Sequence, residues 1–371
     1  MYLQSLFLQN FRSYKKASFD FSQNTTLVIG PNTAGKTNLI EAIFFIASGK
    51  SFRIDKDEQL IKFEESVARI KARLQLPEQS DGGQAKLDDK DLEVVIAQGG
   101  VGGKVRPFKK YLVNDVSKKK VDFVGNFFAV LFAPSDLEII VGSPSKRRDF
   151  IDNILIQTDR EYRLAIGFYE KGLRIRNALL HKVKETGIRQ DKEFAYWDNL
   201  LIIQGQKITK KREEFLDYIQ KSKKDILEFE IFYDKSVISK ERLLQYKDAE
   251  VGSGVTLVGP HRDDIIIRIN LNENSDKFEW VDIKFFGSRG QQRLAILQLK
   301  LLELILIEQR AGVRPLLLLD DVFSELDEGH IDLVLEMIPD RQTVITTTHR
   351  EFVPKKFLDK ISLIELNING G

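Results

Sequence analysis

Apolar and polar residues alternate along Val67–Leu76, with Val67, Ile70, Ala72, Leu74 and Leu76 apolar, as in a strand with one face buried. Short apolar stretches at Tyr2–Leu8, Phe19–Phe21, Thr26–Ile29, Leu92–Ala97 and Phe108–Val113 extend the same reading, so residues 1–135 are predicted to be strand-rich. Val113-Asn114-Asp115-Val116 reads as a turn, and the polar Glu78–Asp91 as a loop or hairpin tip. From Ser135 to Asp248 the period lengthens. Tyr162, Ile166, Tyr169, Leu173 and Leu180 mark one helical stripe, and Phe194, Trp197, Leu201, Ile208, Phe215 and Tyr218 a second, although Gln204 and Lys211 fall on it. Thr186-Gly187-Ile188 separates the two runs. The pattern predicts two long antiparallel helices preceded by a shorter one near Ser145–Gln157. After Val251 strands and helices alternate again: Ile265–Ile269, Gln291–Glu308, Leu316–Leu319, Glu328–Met337 and Thr343–Thr347.

These shifts predict one α/β domain interrupted by a helical arm: head 1–135, arm 136–250, head again 251–371. With 371 residues the chain is long enough for such a head and insert. Lys+Arg 57 against Asp+Glu 55 leaves almost no net charge, so any nucleic-acid contact must come from local basic surface. Zero cysteines exclude disulfides, thiol nucleophiles and cysteine-ligated zinc, and fit a cytoplasmic protein. The histidines His181, His261, His330 and His349 are scattered. No apolar run reaches the ~18 residues of a membrane span, and the N-terminus reads as a first strand rather than a leader.

The chemistry-bearing motif is Gly30–Thr37, GPNTAGKT, between the apolar run Thr26–Ile29 and the helical stretch Asn38–Ser48. This is the strand–loop–helix context of a Walker A phosphate loop. Gly30 and Gly35 let the backbone curl, Lys36 can reach β/γ-phosphates, and the Thr37 hydroxyl can ligate Mg²⁺. Leu316–Leu319 fits a strand buried on both faces and ends in Asp320 and Asp321, a Walker B pair. There Asp320 would hold Mg²⁺ and Asp321 would orient the attacking water. SRGQQR (Ser288–Arg293) precedes it and VFSELD (Val322–Asp327) follows, the order signature, Walker B, D-loop of ABC-type ATPase heads. Ser288, Gly290 and Gln291 would form an anion site at a helix N-terminus. In such heads the signature reaches nucleotide held by a second copy, so two chains would sandwich two ATP molecules.

The chain resembles the RecF family of bacterial recombinational repair and replication ATPases. The resemblance is carried by LQNFRSY (Leu8–Tyr14), GPNTAGKTNLIEAI (Gly30–Ile43), GKSFR (Gly49–Arg53), LFAPSDLEIIVGSPSKRRDFID (Leu131–Asp152), Tyr169 with RNALL (Arg176–Leu180), VGPHRDD (Val258–Asp264), SRGQQR and LLLLDDVFSELD. It implies an ABC-type, SMC/RecF-like ATPase head with an inserted helical arm. It also implies ATP and Mg²⁺ as cofactors, an ATP-dependent homodimer, slow hydrolysis, and closure on duplex DNA at single-strand/double-strand junctions or gaps. RecO and RecR mediators are the implied partners, and no membrane is.

The candidate nucleotide contacts are Arg12, Gly30, Asn32, Gly35, Lys36, Thr37, Asn38, Ser288, Gly290 and Gln291. Lys36, Asp320, Asp321, Ser288 and His349 are the candidate catalytic residues, and Thr37 with Asp320 the metal ligands. His349 stands where ABC proteins sense the γ-phosphate, although a plain surface turn fits the same position. Arg12 reads as a nucleotide contact or as a surface ion pair, and Gln59 and Gln75 are Q-loop candidates. VGPHRDD reads as a purely structural turn or as a lobe contact. Arg293 replaces the usual Lys of the RecF signature, and Asp321 the Glu of most ABC ATPases.

Two basic groups are candidate DNA contacts: Lys104, Arg106, Lys109, Lys110, Lys118, Lys119 and Lys120, and Lys207, Lys210, Lys211, Arg212, Lys221, Lys223 and Lys224. Either is also readable as a solvated face. The rival readings are an SMC-like structural head, a transporter nucleotide-binding subunit and a small-molecule kinase. SRGQQR and the length of the arm disfavour the first two, and a kinase would need neither a signature nor a D-loop.

Overall fold

In the computed structural model, which describes residues 1–54, 56–76, 89–101, 104–270, 279–324, 328–338, 340–352 and 361–367, the N-terminal third folds around eight strands. They are β1 (Tyr2–Phe11), β2 (Tyr14–Asp20), β3 (Thr25–Ile29), β4 (Val67–Gln75), β5 (Asp89–Val101), β6 (Lys104–Val113), β7 (Val116–Lys118) and β8 (Ala129–Phe132), with helices α1 (Lys36–Ser48) and α2 (Lys120–Phe123). Six of them form an antiparallel sheet in the order β2-β1-β4-β5-β6-β7. Its period of two is plain on β4, where Ala68, Ile70, Ala72 and Leu74 are buried and Val67 lies on the other face, opposite to the sequence assignment. On that outer face Arg69 pairs with Glu93, and Lys71 and Arg73 pair with Asp91, across β4 and β5. The turn at Asn114-Asp115 has both residues left-handed (φ 48° and 62°), as a two-residue hairpin loop requires. Most of the Glu78–Asp91 hairpin tip lies outside the described residues.

The middle of the chain comprises α3 (Glu138–Val141), α4 (Pro144–Thr158), α5 (Arg160–Thr186), α6 (Asp191–Lys221), β9 (Glu230–Asp234), α7 (Lys240–Gln245), α8 (Lys247–Ser253), β10 (Asp264–Asn270), β11 (Trp280–Asp282), α9 (Ile283–Phe286) and α10 (Arg289–Ala311). Strands β9, β10 and β11 make a small antiparallel sheet, so this region is not helical throughout. The interior positions of α5 are Tyr162, Ala165, Tyr169, Gly172, Arg176, Leu180 and Val183. On α6 they include Phe194, Leu201, Gly205, Ile208, Arg212 and Phe215. The real seam therefore runs through Gly205 and Arg212, each one residue from the polar positions that broke the predicted stripe.

The C-terminal part adds β12 (Leu316–Asp320), α11 (Glu328–Glu336), β13 (Thr343–Thr347) and β14 (Ile361–Glu365). With β3 and β8 they make a parallel sheet in the order β14-β3-β13-β12-β8. Strands β12 and β13 are buried along their whole length, which explains the unbroken run of leucines. Helix α1 packs on β8, β12 and β13 from one sheet and on β4 and β5 from the other. It therefore buries Leu39–Ser48 without an exposed face, as a helix apolar all round must.

Two compact units result: Met1–Asp136 with Glu303–Gly371, and Leu137–Leu302. The second unit takes in β10, β11 and the start of α10, which the sequence reading had assigned to the head.

Candidate functional site

The phosphate loop leaves the C-terminal end of β3 and runs into α1. Gly35 has φ 99°, and a Cβ there would lie 2.8 Å from the Tyr14 hydroxyl, so both conformation and space demand glycine. Gly30 is needed for a different reason. Its φ is ordinary, but a Cβ would meet the Leu366 carbonyl at 2.7 Å, just beyond β14. The Lys36 ammonium is folded inward, donating to the carbonyls of Gly30 (2.7 Å) and Pro31 (3.0 Å). Burial lowers its pKa, and the charges of Asp321 and Asp320 oppose that shift. Asn32 is exposed on the loop, and Asn38 lies on the first turn of α1.

Strand β13 lies between the loop strand β3 and the Walker B strand β12, with Asp320 paired in register with Thr346 and Thr346 with Val28. The Thr37 hydroxyl donates to Asp320 Oδ1 at 3.1 Å, and the Thr346 hydroxyl donates to the same oxygen at 2.8 Å. Asp320 is buried, and desolvation raises its pKa; the two hydroxyl bonds and the more distant Arg53 charge work against it, while Asp321 adds to it. Asp321 has φ 53°, in the left-handed region, and its amide donates to both the carbonyl and the hydroxyl of Thr346, each at 3.1 Å. A hydroxyl beside a carboxylate is a hard-oxygen donor pair that fits Mg²⁺. Lys36, Thr37, Asp320 and Asp321 thus meet in one place. Of the D-loop, Glu325–Asp327 lies outside the described residues.

Over the loop sits a layer that sequence reasoning did not identify as a group. Tyr14, buried, donates its hydroxyl to the Gly35 carbonyl at 3.0 Å. Asn38 donates to Ser13 Oγ at 2.9 Å and accepts from Arg53 at 2.9 Å. Arg12 makes a bidentate pair with Glu41 (2.8 and 2.7 Å), a wholly buried carboxylate on α1 that also accepts from Ser51. Arg12 is left-handed (φ 51°) and spends its third donor on the Gln59 carbonyl at 3.0 Å. Its partner is interior, so this is not the exposed surface pair considered from sequence. Gln59 lies beside Arg12, whereas Gln75 bonds Tyr2 at the far end of β1. The motifs LQNFRSY, GPNTAGKTNLIEAI and GKSFR mark the side chains of this layer one by one, but no local spacing shows that they meet.

The signature belongs to the second unit. Ser288 Oγ accepts from the Gln291 amide at 3.2 Å and Gln291 Oε1 accepts from the Ser288 amide at 2.9 Å, a reciprocal capping box opening α10. Gly290 is open: a Cβ there would meet only Ser288 Oγ, at 3.9 Å. Gln292 is buried and donates to the carbonyls of Ile283, Lys284 and Gly287, which ties α9 to the signature. His349 is exposed just past β13, where its amide faces Thr347 Oγ1 at 3.4 Å.

VGPHRDD anchors the arm. Arg212 on α6, 2% exposed, donates to Asp152 of α4 (2.9 and 3.0 Å), Asp263 (2.8 Å), the Pro260 carbonyl (2.7 Å) and the Tyr162 hydroxyl (3.1 Å). Arg147 grips Asp264 through two nitrogens (2.6 and 2.9 Å), and Tyr233 donates to Asp263. His261 Nε2 faces the Thr256 carbonyl at 3.0 Å and so carries the proton, leaving Nδ1 to accept from the Tyr169 hydroxyl at 2.8 Å. Burial drops its pKa to about 4.

Arg212 is therefore no DNA contact, which corrects its place in the second basic group. In that group Lys207, Lys211, Lys221, Lys223 and Lys224 all have acidic partners on the arm. In the first group Lys109 pairs with Asp57, while Lys110, Lys118, Lys119 and Lys120 are exposed on or beside β6 and β7. The side chains of Lys104 and Arg106 lie outside the described residues.

Residues 2–367 match the model of the RecF/RecN/SMC N-terminal domain family. The DNA replication and repair protein RecF of Picosynechococcus sp. is 35% identical over 396 residues, covering 99% of this chain and 96% of that protein. Its namesake from Bacillus cereus is 33% identical, covering 99% and 97%. A solved structure of the recombination mediator protein RecF with ATP, in the RecFOR pathway, superposes with a TM-score of 0.79 at 32% identity, covering 95% of this chain and 93% of that one. Among the described residues no helix is long and apolar enough to cross a membrane. The chain belongs to the RecF family of DNA replication and repair proteins, within the ABC-type, SMC-like ATPases.

Proposed function

We propose that this chain is an ATP-dependent DNA-binding protein whose two copies close on DNA when ATP is bound and separate after slow hydrolysis. The observation that carries the reading is the meeting of Lys36, Thr37, Asp320 and Asp321 at the C-terminal ends of β3 and β12. Lys36, on giving up the Gly30 and Pro31 carbonyls, takes β/γ-phosphate oxygens. Thr37 and Asp320 hold Mg²⁺, which when bound neutralises phosphate charge. Asp321 orients the attacking water; its side chain is shorter than the glutamate of most ABC ATPases, in keeping with slow turnover. Arg12, Asn32 and Asn38 would contact the nucleotide, and His349 would sense the γ-phosphate.

In the same reading Ser288, Gly290 and Gln291 complete the pocket of a second copy. Closure then depends on nucleotide, because the ATP held by one chain is what the signature of the other would bind. The exposed Lys110, Lys118, Lys119 and Lys120 support duplex phosphate contacts with little base preference and strong salt dependence. The proposed DNA targets are single-strand/double-strand junctions or gaps, with RecO and RecR mediators as partners in recombinase loading. In this reading residues 1–135 with 251–371 do the work of the head and 136–250 that of the arm, although Leu137–Leu302 pack as one compact unit. Sedimentation with and without ATP–Mg²⁺ and gapped duplex tests dimerisation, nucleotide dependence and substrate together. A chain that stays monomeric with ATP and gapped DNA would refute the clamp.

A further inference from the structure

Thr346 is wholly buried on β13, between the phosphate-loop strand and the Walker B strand. A buried hydroxyl is costly unless hydrogen-bonded, and a valine of the same shape would fill the same space. Both bonds of this hydroxyl go to the two Walker B residues. Its single proton is directed at Asp320 Oδ1 (2.8 Å) rather than the more distant Leu319 carbonyl (3.5 Å), and its oxygen accepts from the Asp321 amide (3.1 Å). The second contact falls on a residue held at φ 53°, in the left-handed region. The two acids are adjacent in sequence but do different work, so their relative orientation has to be set from outside β12.

We propose that Thr346 is a positioning residue for hydrolysis: its hydroxyl sets the rotamer of Asp320 and, sharing the Asp321 amide with its own main-chain carbonyl, steadies the backbone turn at Asp321, and so the spacing between metal ligand and water-orienting acid. This rests on the ATPase reading above. Thr346 is wholly buried and its hydroxyl acts through the two acids it contacts. Its removal therefore acts on turnover and on the Mg²⁺-dependent part of binding, and leaves metal-free nucleotide binding alone.

The test compares Thr346→Val, Thr346→Ser and Thr343→Val, the last a threonine buried at the other end of the same strand. ATP binding is titrated without and with Mg²⁺, and steady-state turnover is measured on the full chain. Thr346→Val should bind ATP without Mg²⁺ within about twofold of wild type, gain less affinity from Mg²⁺, and lose about tenfold to a hundredfold in kcat. Thr346→Ser should recover most of that kcat, and Thr343→Val should match wild type. Wild-type kcat in Thr346→Val overturns the inference, as does an equal loss in Thr343→Val, which would mark a general packing defect. If Thr346→Val does not fold, Thr346→Ser decides: kcat near wild type with an unchanged Mg²⁺ gain supports the inference, and a tenfold loss overturns it. Wild-type chain that neither binds nor hydrolyses ATP would instead sink the ATPase reading itself.

Discussion

Thr37 Oγ1 and Asp320 Oδ1 are 3.1 Å apart although 283 residues separate them in the chain. The contact exists because β13 inserts between β3 and β12, bringing the ends of both strands to one edge of the parallel sheet. Loop and acid are thus placed by a scaffold with no exposed face on β12 or β13.

Asp320 is kept at a cost to the fold. Burial raises its pKa, so its contribution to stability is fully present below the unfolded value near 3.8 and is lost as pH rises through the folded value. At neutral pH the ionised, buried carboxylate is therefore a liability in the nucleotide-free protein. Asp320→Asn should raise the melting temperature at pH 7.5 without nucleotide or Mg²⁺ while abolishing ATP turnover. A lower melting temperature would contradict the sign.

Arg212 should be among the most damaging positions in the second unit. Replacing it with Met strips Asp152 and Asp263 of the guanidinium that hydrogen-bonds both, leaving Arg148 as the nearby cation, a loss on the order of 3–5 kcal/mol. Lysine should not rescue it, because one ammonium cannot reach five acceptor directions. Urea unfolding of the two variants measures this, and a loss below ~1 kcal/mol in either would show that the network is not a keystone.

His261 predicts a pH dependence. Its folded pKa of about 4 lies below the ordinary 6.5, so between these values the unfolded chain binds a proton that the native arm refuses. Stability should fall as pH drops from 6.5 to 4, by at most about 3 kcal/mol. His261→Gln should flatten that part of the profile relative to wild type in thermal melts across this range. Parallel curves for the two proteins would exclude the histidine as the source.

Ser288→Arg should separate assembly from folding. Loss of the cap costs about 1 kcal/mol, leaving a folded chain that binds ATP. In sedimentation with ATP–Mg²⁺ the variant should remain monomeric where wild type dimerises. Equal dimerisation would remove the signature from the proposed interface.

How much could be read in advance depended on range. The phosphate loop, the Asn114-Asp115 turn and the strands β1, β3, β4, β5 and β6 were legible, because each rests on neighbours in sequence. β8, β9, β11 and β14 were not, since short strands without alternation take their identity from the partners they join. The polar breaks at Gln204 and Lys211 were misread for a similar reason. The true interior positions are Gly205 and Arg212, and a helical stripe does not announce an arginine that is buried because three other segments supply its acceptors.

By itself, then, the sequence determined the phosphate loop, the Walker B carboxylates, the signature and the helix–strand periods, all of which are written in local spacing and backbone preference. Tertiary structure alone decided that Thr346 bridges Asp320 and Asp321, that Glu41 is the buried partner of Arg12, and that Arg212 belongs to the interior. The physical reason is the same in each case: a hydrogen bond or ion pair between distant segments depends on strand register and helix packing, which no local window of residues encodes.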